Sequence, residues 1–330
     1  MHLILSTPLS IYLYDLTKAR LKILATGMGE YSGISWDNSA IYLAHSNIDN
    51  TSLKTEHDYR NSNKAYIRSY SSKGGDIVTN SLSMPHQILI DSRGRLLVTN
   101  TGHNNCIVVK ELADGEQYMC RLNEIDCEVI GDKKVGNHFN SLYEHNSSLF
   151  VVAHNNSRNS SVWELDMNSL NVIKTYDTKA EWAHNVWICE HGMIICNSKS
   201  GSLYDVYSGE TLWTADEPRV ITRGLAANKD YIFIGRSEYG NRLSRKWSDG
   251  GFWILDRKTL KTVERVKLHR TGCINELRLF NSEDECHKAP LLDPEMIKYF
   301  THVPMFNKIR RISSYLNYKI RSTIQNPAKK

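Results

Sequence analysis

No stretch of the 330-residue chain approaches the run of about 18 apolar residues that reads as a membrane-spanning helix. The first residues, MHLILSTPLSIYLYDL, lack a basic n-region, and Ser6, Thr7 and Pro8 interrupt their apolar run, which argues against a secretory leader. Cysteines number seven, odd and without paired spacing, as expected of reduced thiols in a cytoplasm and not of a disulfide framework. Cysteine pairs of zinc-finger spacing are missing, and so are G-x-x-x-x-G-K-[ST], G-x-S-x-G and H-E-x-x-H. Nucleotide-loop, serine-hydrolase and zincin chemistries lose their support together. Acidic residues are absent from one region: residues 296–330 hold eight Lys and Arg and no Asp or Glu. The first 295 residues hold 33 basic and 36 acidic residues, so the net charge of +5 belongs to the tail. A specific nucleic-acid binder is therefore not expected.

What is present is a repeat. Stretches starting at Tyr31 (YSGISWDNSAIYLAHSN), Pro85 (PHQILIDSRGRLLVTN), Asn137, Ala183 (AHNVWICEHGMIICNS) and Arg223 share one plan. Each has a small or polar start, an apolar strand, a tight turn, a β-branched strand and a polar cluster. Turn signals such as DSRG, EHNSS and EHG separate the runs, as antiparallel hairpins require. Further strands follow, among them AYIRSYSS, CIVVKEL, SSVWELD and GFWILDRKTLKTVERV. Four strands per unit at spacings of about 40 to 50 residues match the blade of a β-propeller.

The ends close the ring. CINELRLF, from Cys273, reads as a first strand without successors, whereas HLILSTP, SIYLYDL and LKILATG at the N-terminus read as three strands without a first. Together they make a sixth blade and remove free sheet edges. The expected architecture is all-β, a six-bladed propeller over residues 1–281, with a C-terminal linker and basic helix over residues 282–330. A miscount in residues 110–134 would make the ring five- or seven-bladed.

LLVTNTGHNNCIVV, within residues 96–109, resembles the NHL-repeat signature, and residues 1–281 are similar to six-bladed propellers of the NHL and gluconolactonase-like group. Gluconolactonase-like members hold a divalent metal in the central channel with Glu, Asn and Asp, which the resemblance extends to this channel. Glu276 and several Asn are available here, but histidine dominates the starts of the first strands.

His86, His138 and His184 stand at first-strand starts in three successive repeats, with Gly33, Arg223 and Glu276 as equivalents elsewhere. Second-strand ends supply His45, Asn100, His154, Asn197 and Arg236. Antiparallel neighbours bring both sets to one mouth of the channel. Three imidazoles there form a natural site for divalent Fe, Zn or Mn, with Glu276 as base or further ligand. Arg223 and Arg236 suit a substrate carboxylate or phosphate. The same ring could hold a ligand without metal, or could only bond neighbouring backbone.

Long links at residues 46–64 and 237–251 read as lids, the second carrying Arg242, and Trp182 could stack on a sugar ring. The chain from Met305 reads as a basic amphipathic helix that could meet a membrane surface, a partner protein or the propeller itself. The leading expectation is a cytoplasmic metal-dependent lyase, hydrolase or isomerase for a small polar or anionic, sugar-derived substrate. The alternative is a non-catalytic propeller binding a glycan or partner protein through the same face.

Overall fold

The two ends of the propeller share one sheet. A computed structural model of the chain describes residues 1–27, 30–46, 65–78, 82–103, 106–122, 129–130, 133–134, 136–156, 158–240 and 242–300. Glu276–Leu279 pairs antiparallel with His2–Ser6, Leu3 lying opposite Leu279 and Ser6 opposite Glu276. Ser10–Asp15 and Arg20–Thr26 complete that sheet. Five more four-stranded sheets follow in chain order, and the fold is the expected all-β, six-bladed propeller. Val129–Ile130 and Lys133–Lys134 form a small separate hairpin within the stretch that left the blade number open, and they add no blade. Among the described residues no helix is long and apolar enough to cross a membrane.

The inner strands of the six blades are Glu30–Trp36, Pro85–Ile90, Phe139–His145, Ala183–Cys189, Val220–Ala227 and Glu276–Leu279. Each packs beside its neighbours around the axis. Outer strands such as Gln117–Arg121 and Val172–Glu181 are largely exposed. The core sits between blades: Trp187 and Trp253 join the fourth blade to the fifth, and Ile4, Trp36 and Leu43 join the sixth to the first. Burial of this kind, about 25 cal/mol per Å² of apolar surface, is the main force holding the blades together.

Each of the first five inner hairpins carries a bulge near its upper end, between Tyr31 and Ile34, Pro85 and Ile88, Phe139 and Ser141, His184 and Val186, and Thr222 and Leu225. The looped-out side chains, with Asn275 just ahead of the sixth inner strand, stitch neighbouring blades together. Ser32 Oγ donates to the Pro85 carbonyl at 2.6 Å, Asn140 Nδ2 to Ala183 O at 2.8 Å, and Asn275 Nδ2 to Tyr31 O at 2.7 Å. Asn185 Oδ1 accepts from the Gly224 amide at 2.8 Å. Gly33 fits where the first two blades come closest, since a Cβ there would lie 2.7 Å from the His86 carbonyl. Polar residues near the axis are thus partly a device of ring assembly.

Residues 282–300, the start of the expected linker, lie across the lower mouth, where the inner strands end. The Glu285 amide donates to Ala227 O in the fifth blade at 2.9 Å. Cys286 packs with the third-to-fifth-blade core, and Trp36 Nε1 of the first blade donates to Pro290 O at 2.7 Å. Phe300 stacks on Tyr70 with ring centroids 4.8 Å apart. This segment plugs one end of the channel. The expected basic helix from Met305, most of the link at 46–64, and Asn241 lie outside the described residues.

Candidate functional site: the two mouths of the channel

The upper mouth holds four histidines in succession. His86 meets His138 edge to face with ring centroids 5.2 Å apart, His138 meets His154 at 4.9 Å, and His154 meets His184 at 5.4 Å. The sequence thus brought the right rings together, although one arrives from a different register. Pro85 lies opposite Asn100 and Ala183 opposite Asn197, which makes His86 and His184 equivalent. In the third blade Phe139 lies opposite Ala153, and the amide of His154 bonds the carbonyl of His138, so His138 is equivalent to Pro85. A left-handed backbone at His138 (φ 50°) accompanies this offset. The same register puts Ser32, and not Gly33, at the His86 position in the first blade, whereas Arg223 does occupy it in the fifth.

The hydrogen bonds of these rings differ. His86 Nδ1 faces Met84 O at 2.9 Å, and His184 Nδ1 faces Trp182 O at 2.8 Å. Met84 and Trp182, each two residues before its histidine, are both left-handed, with φ of 48° and 58°. His154 Nδ1 instead accepts from the Asn156 amide at 3.1 Å. Burial first, then the Arg223 guanidinium and the neighbouring imidazoles, hold His184 well below the usual histidine range, so it is neutral at pH 7. Among the described residues no group of three or more His, Cys, Asp or Glu is arranged to hold a metal ion. Two of the ring pairs stand edge to face, at 78° and 83°, and the third, His138 with His154, is tilted at 53°. Of the expected metal ligands, His86 and His138 are direct neighbours, and His184 joins them through His154.

The other expected site residues divide into two kinds. Asn100 Oδ1 accepts the Ser83 amide at 2.6 Å and Asn197 Oδ1 the Glu181 amide at 3.0 Å. Both fasten the chain two residues ahead of an inner strand, so their carbonyl oxygens serve the blade and not a substrate. Arg236 is 2% exposed and grips Glu217 with both arms, at 2.5 and 2.7 Å. Its fork is taken, which removes it as an anchor for a substrate anion. His45 lies at 0% exposure among Tyr31, Tyr66 and Tyr70, its ring 4.7 Å from that of Tyr66. Burial, reinforced by Arg68, pushes its pKa down to about 3. It is a core histidine.

Arg223 is the exception. It is half-buried in the upper mouth, on the inner strand Val220–Ala227. Burial depresses its pKa and the Arg245 guanidinium adds to that, while Cys273, Glu276 and Glu30 pull the other way without forming an ion pair. No hydrogen bond or ion pair to its guanidinium is found among the described residues. Between the fourth and fifth blades a cleft of about 680 Å³ is lined by Lys199, Asp216, Glu217, Arg219 and Tyr239, and Arg223 is not part of its lining. Trp182 lies at its edge, stacked on Tyr239 at 6.1 Å and 7°. Trp182 thus has an aromatic partner within the chain. The side chain of Arg242, which opens the short helix Arg242–Arg245, lies outside the described residues.

Glu276 is held in a separate buried set of side chains. It is 2% exposed, accepts from Gln87 Nε2 at 3.0 Å, and lies 3.3 Å from His287 Nε2 and 3.8 Å from Arg278 Nε. Burial opposes its ionisation, but Arg278, His287 and Gln87 outweigh that and hold the carboxyl below its usual range. His287 Nδ1 in turn meets Asp284 Oδ2 at 2.9 Å. Asp284 also accepts the amides of Leu279, at 2.9 Å, and Cys286, at 3.2 Å. Glu276 and Arg278 of the sixth blade and Asp284 and His287 of the plug form one buried polar network. Sequence reasoning missed it; the only signal was an aspartate three residues before a histidine in DECH.

No family model and no curated protein matches the chain. Among solved structures it is similar to a chain in the crystal structure of a nidogen/laminin complex, 10% identical, covering 84% of this chain and 97% of that one at a TM-score of 0.59. It also aligns with the computationally designed Ika8 protein, 10% identical, over 86% of this chain and 78% of that one, at a TM-score of 0.44. At such identity the nidogen/laminin likeness concerns the fold. It supports the six-bladed ring, and nothing singles out the NHL or gluconolactonase-like group.

Proposed function

We propose that the chain is a non-catalytic propeller that binds a partner protein through its upper mouth. The observation that carries this reading is Arg223, a half-buried cation without a hydrogen bond among the described residues, beside the four-histidine file. A buried or half-buried charge is costly unless paired, and a carboxylate on a partner would pair it. The engagement of Glu276 with Gln87, Arg278 and His287 speaks against a free base in the channel. The similar chain in a nidogen/laminin complex comes from a protein–protein assembly, which favours a binding role for this fold. The rival is a divalent metal at the histidine file serving a lyase, hydrolase or isomerase.

Quantitative capture with full-length baits tests the proposal. Wild type and Lys258→Glu, an exposed change in a turn on the lower face, should retain the same set of proteins. Arg223→Glu should lose that set. Equal capture by Arg223→Glu would remove the upper mouth as the binding surface. Stoichiometric metal in untagged protein, with turnover, would favour the rival.

A further inference from the structure

The hydrogen-bond partners of His184 fix which of its nitrogens carries the hydrogen. Ser198 Oγ gives its own hydrogen to the Thr222 carbonyl, so towards His184 Nδ1, 2.9 Å away, it can only accept. The Trp182 carbonyl on the same nitrogen is also an acceptor. Nδ1 therefore bears the hydrogen and Nε2 the lone pair. No described residue hydrogen-bonds that Nε2. Nor is it sequestered in the way of the His45 Nδ1 atom.

Arg223 follows on the next inner strand, within electrostatic reach of His184. A guanidinium can only donate, and this imidazole nitrogen can only accept. The pair therefore matches a ligand element of mixed polarity. A bare anion would satisfy Arg223 and leave His184 Nε2 against a second acceptor. A bare donor would do the reverse.

Resting on the reading of this mouth as a partner-binding surface, we infer that it recognises a protein segment carrying a carboxylate beside an N–H donor, the carboxylate on Arg223 and the donor on His184 Nε2. Aspartate with its flanking backbone amides is the simplest segment of that kind.

The test uses the full chain with ¹⁵N-labelled histidine and three probes. N-acetyl-aspartate N-methylamide offers a carboxylate beside amide N–H groups, propionate the carboxylate alone, and N-methylacetamide the N–H alone. At pH 7 the free protein should show His184 Nε2 as the unprotonated nitrogen, and the aspartyl probe should shift it. One added hydrogen bond corresponds to about tenfold tighter binding than propionate. Arg223→Gln should abolish binding of both carboxylates, whereas His184→Phe should remove only the tenfold advantage. The wild-type nitrogen shift carries the test if His184→Phe does not fold. A hydrogen on Nε2, or equal affinity for propionate and the aspartyl probe, would overturn the inference and leave the binding surface standing. Zn²⁺ shifting the Nε2 resonances of three histidines together would overturn both.

Discussion

The two mouths of the channel are built from the same six inner strands yet finish their polar groups differently. At the lower mouth, Glu276, Arg278, Asp284 and His287 combine two acidic and two basic side chains, each at most 3% exposed, in one ion-paired network beneath the plug, in which Glu276 Oε1 and Arg278 Nε and Nη1 make no hydrogen bond. At the upper mouth, Arg223 and His184 Nε2 have no hydrogen-bond partner among the described residues, and backbone in the left-handed region recurs at Met84, His138, Trp182 and Asn185. A buried charge that a protein pairs with itself fixes structure; one left unpaired at an opening is available to something else. The plug holds the lower end of the ring together, whereas at the upper mouth the described residues leave Arg223 without an ion pair.

Loss of ring closure should have the largest effect. Deleting residues 1–25 removes three strands of the sixth blade with Leu3, Ile4, Leu5 and Ile11, all at 0% exposure. Circular dichroism should show no cooperative thermal transition. An unchanged melt would contradict closure by the N-terminal strands.

Opening the lower network comes next. His287→Ala strips both Glu276 and Asp284 of a shared partner inside the protein. Removing one member of a buried ionic group costs about 3 to 5 kcal/mol, to be read by urea denaturation.

Acid should act through His45. Its folded pKa of about 3 lies below the unfolded value of 6.5, so below pH 6.5 the unfolded chain binds the extra proton and stability falls. The loss continues down to the folded pKa, with a slope approaching 1.4 kcal/mol per pH unit for one group, an order-of-magnitude figure. His184 is shifted in the same direction and adds to it. His45→Phe should flatten the curve between pH 6 and about 4; an unaltered slope would mean that His45 contributes nothing to it.

The fold was legible because its signals are local. Turn residues such as DSRG separate runs of β-branched residues, and the orphan strands at the two ends are countable. The histidine file was legible to the level of which rings meet. The bulges hid the rest. An extra residue in a strand shifts side-chain register, and nothing in NHFNSL announces that Asn140 bulges and that His138 thereby falls one position early. Long-range pairing was equally hidden: Arg236 and Arg223 look alike in sequence, and only folding brings Glu217 to one of them. Asp284 and His287 belong to a stretch with no strand or helix periodicity, so their approach to Glu276 left no pattern to read.

The contrast between Arg223 and Arg236 gives the most direct test of a completed end and an open one. Both occupy the top of the fifth blade, one without a hydrogen bond or ion pair among the described residues and one clasped by Glu217. Each is replaced by Gln, and stability and partner capture are measured on the same preparations. Arg236→Gln should lose about 2 to 4 kcal/mol, as expected on breaking a bidentate, largely buried pair. Arg223→Gln should stay within about 0.5 kcal/mol of wild type and lose its captured partners. If Arg223→Gln proves as destabilising as Arg236→Gln and captures as wild type does, Arg223 is a structural residue and the upper mouth is no more open than the lower.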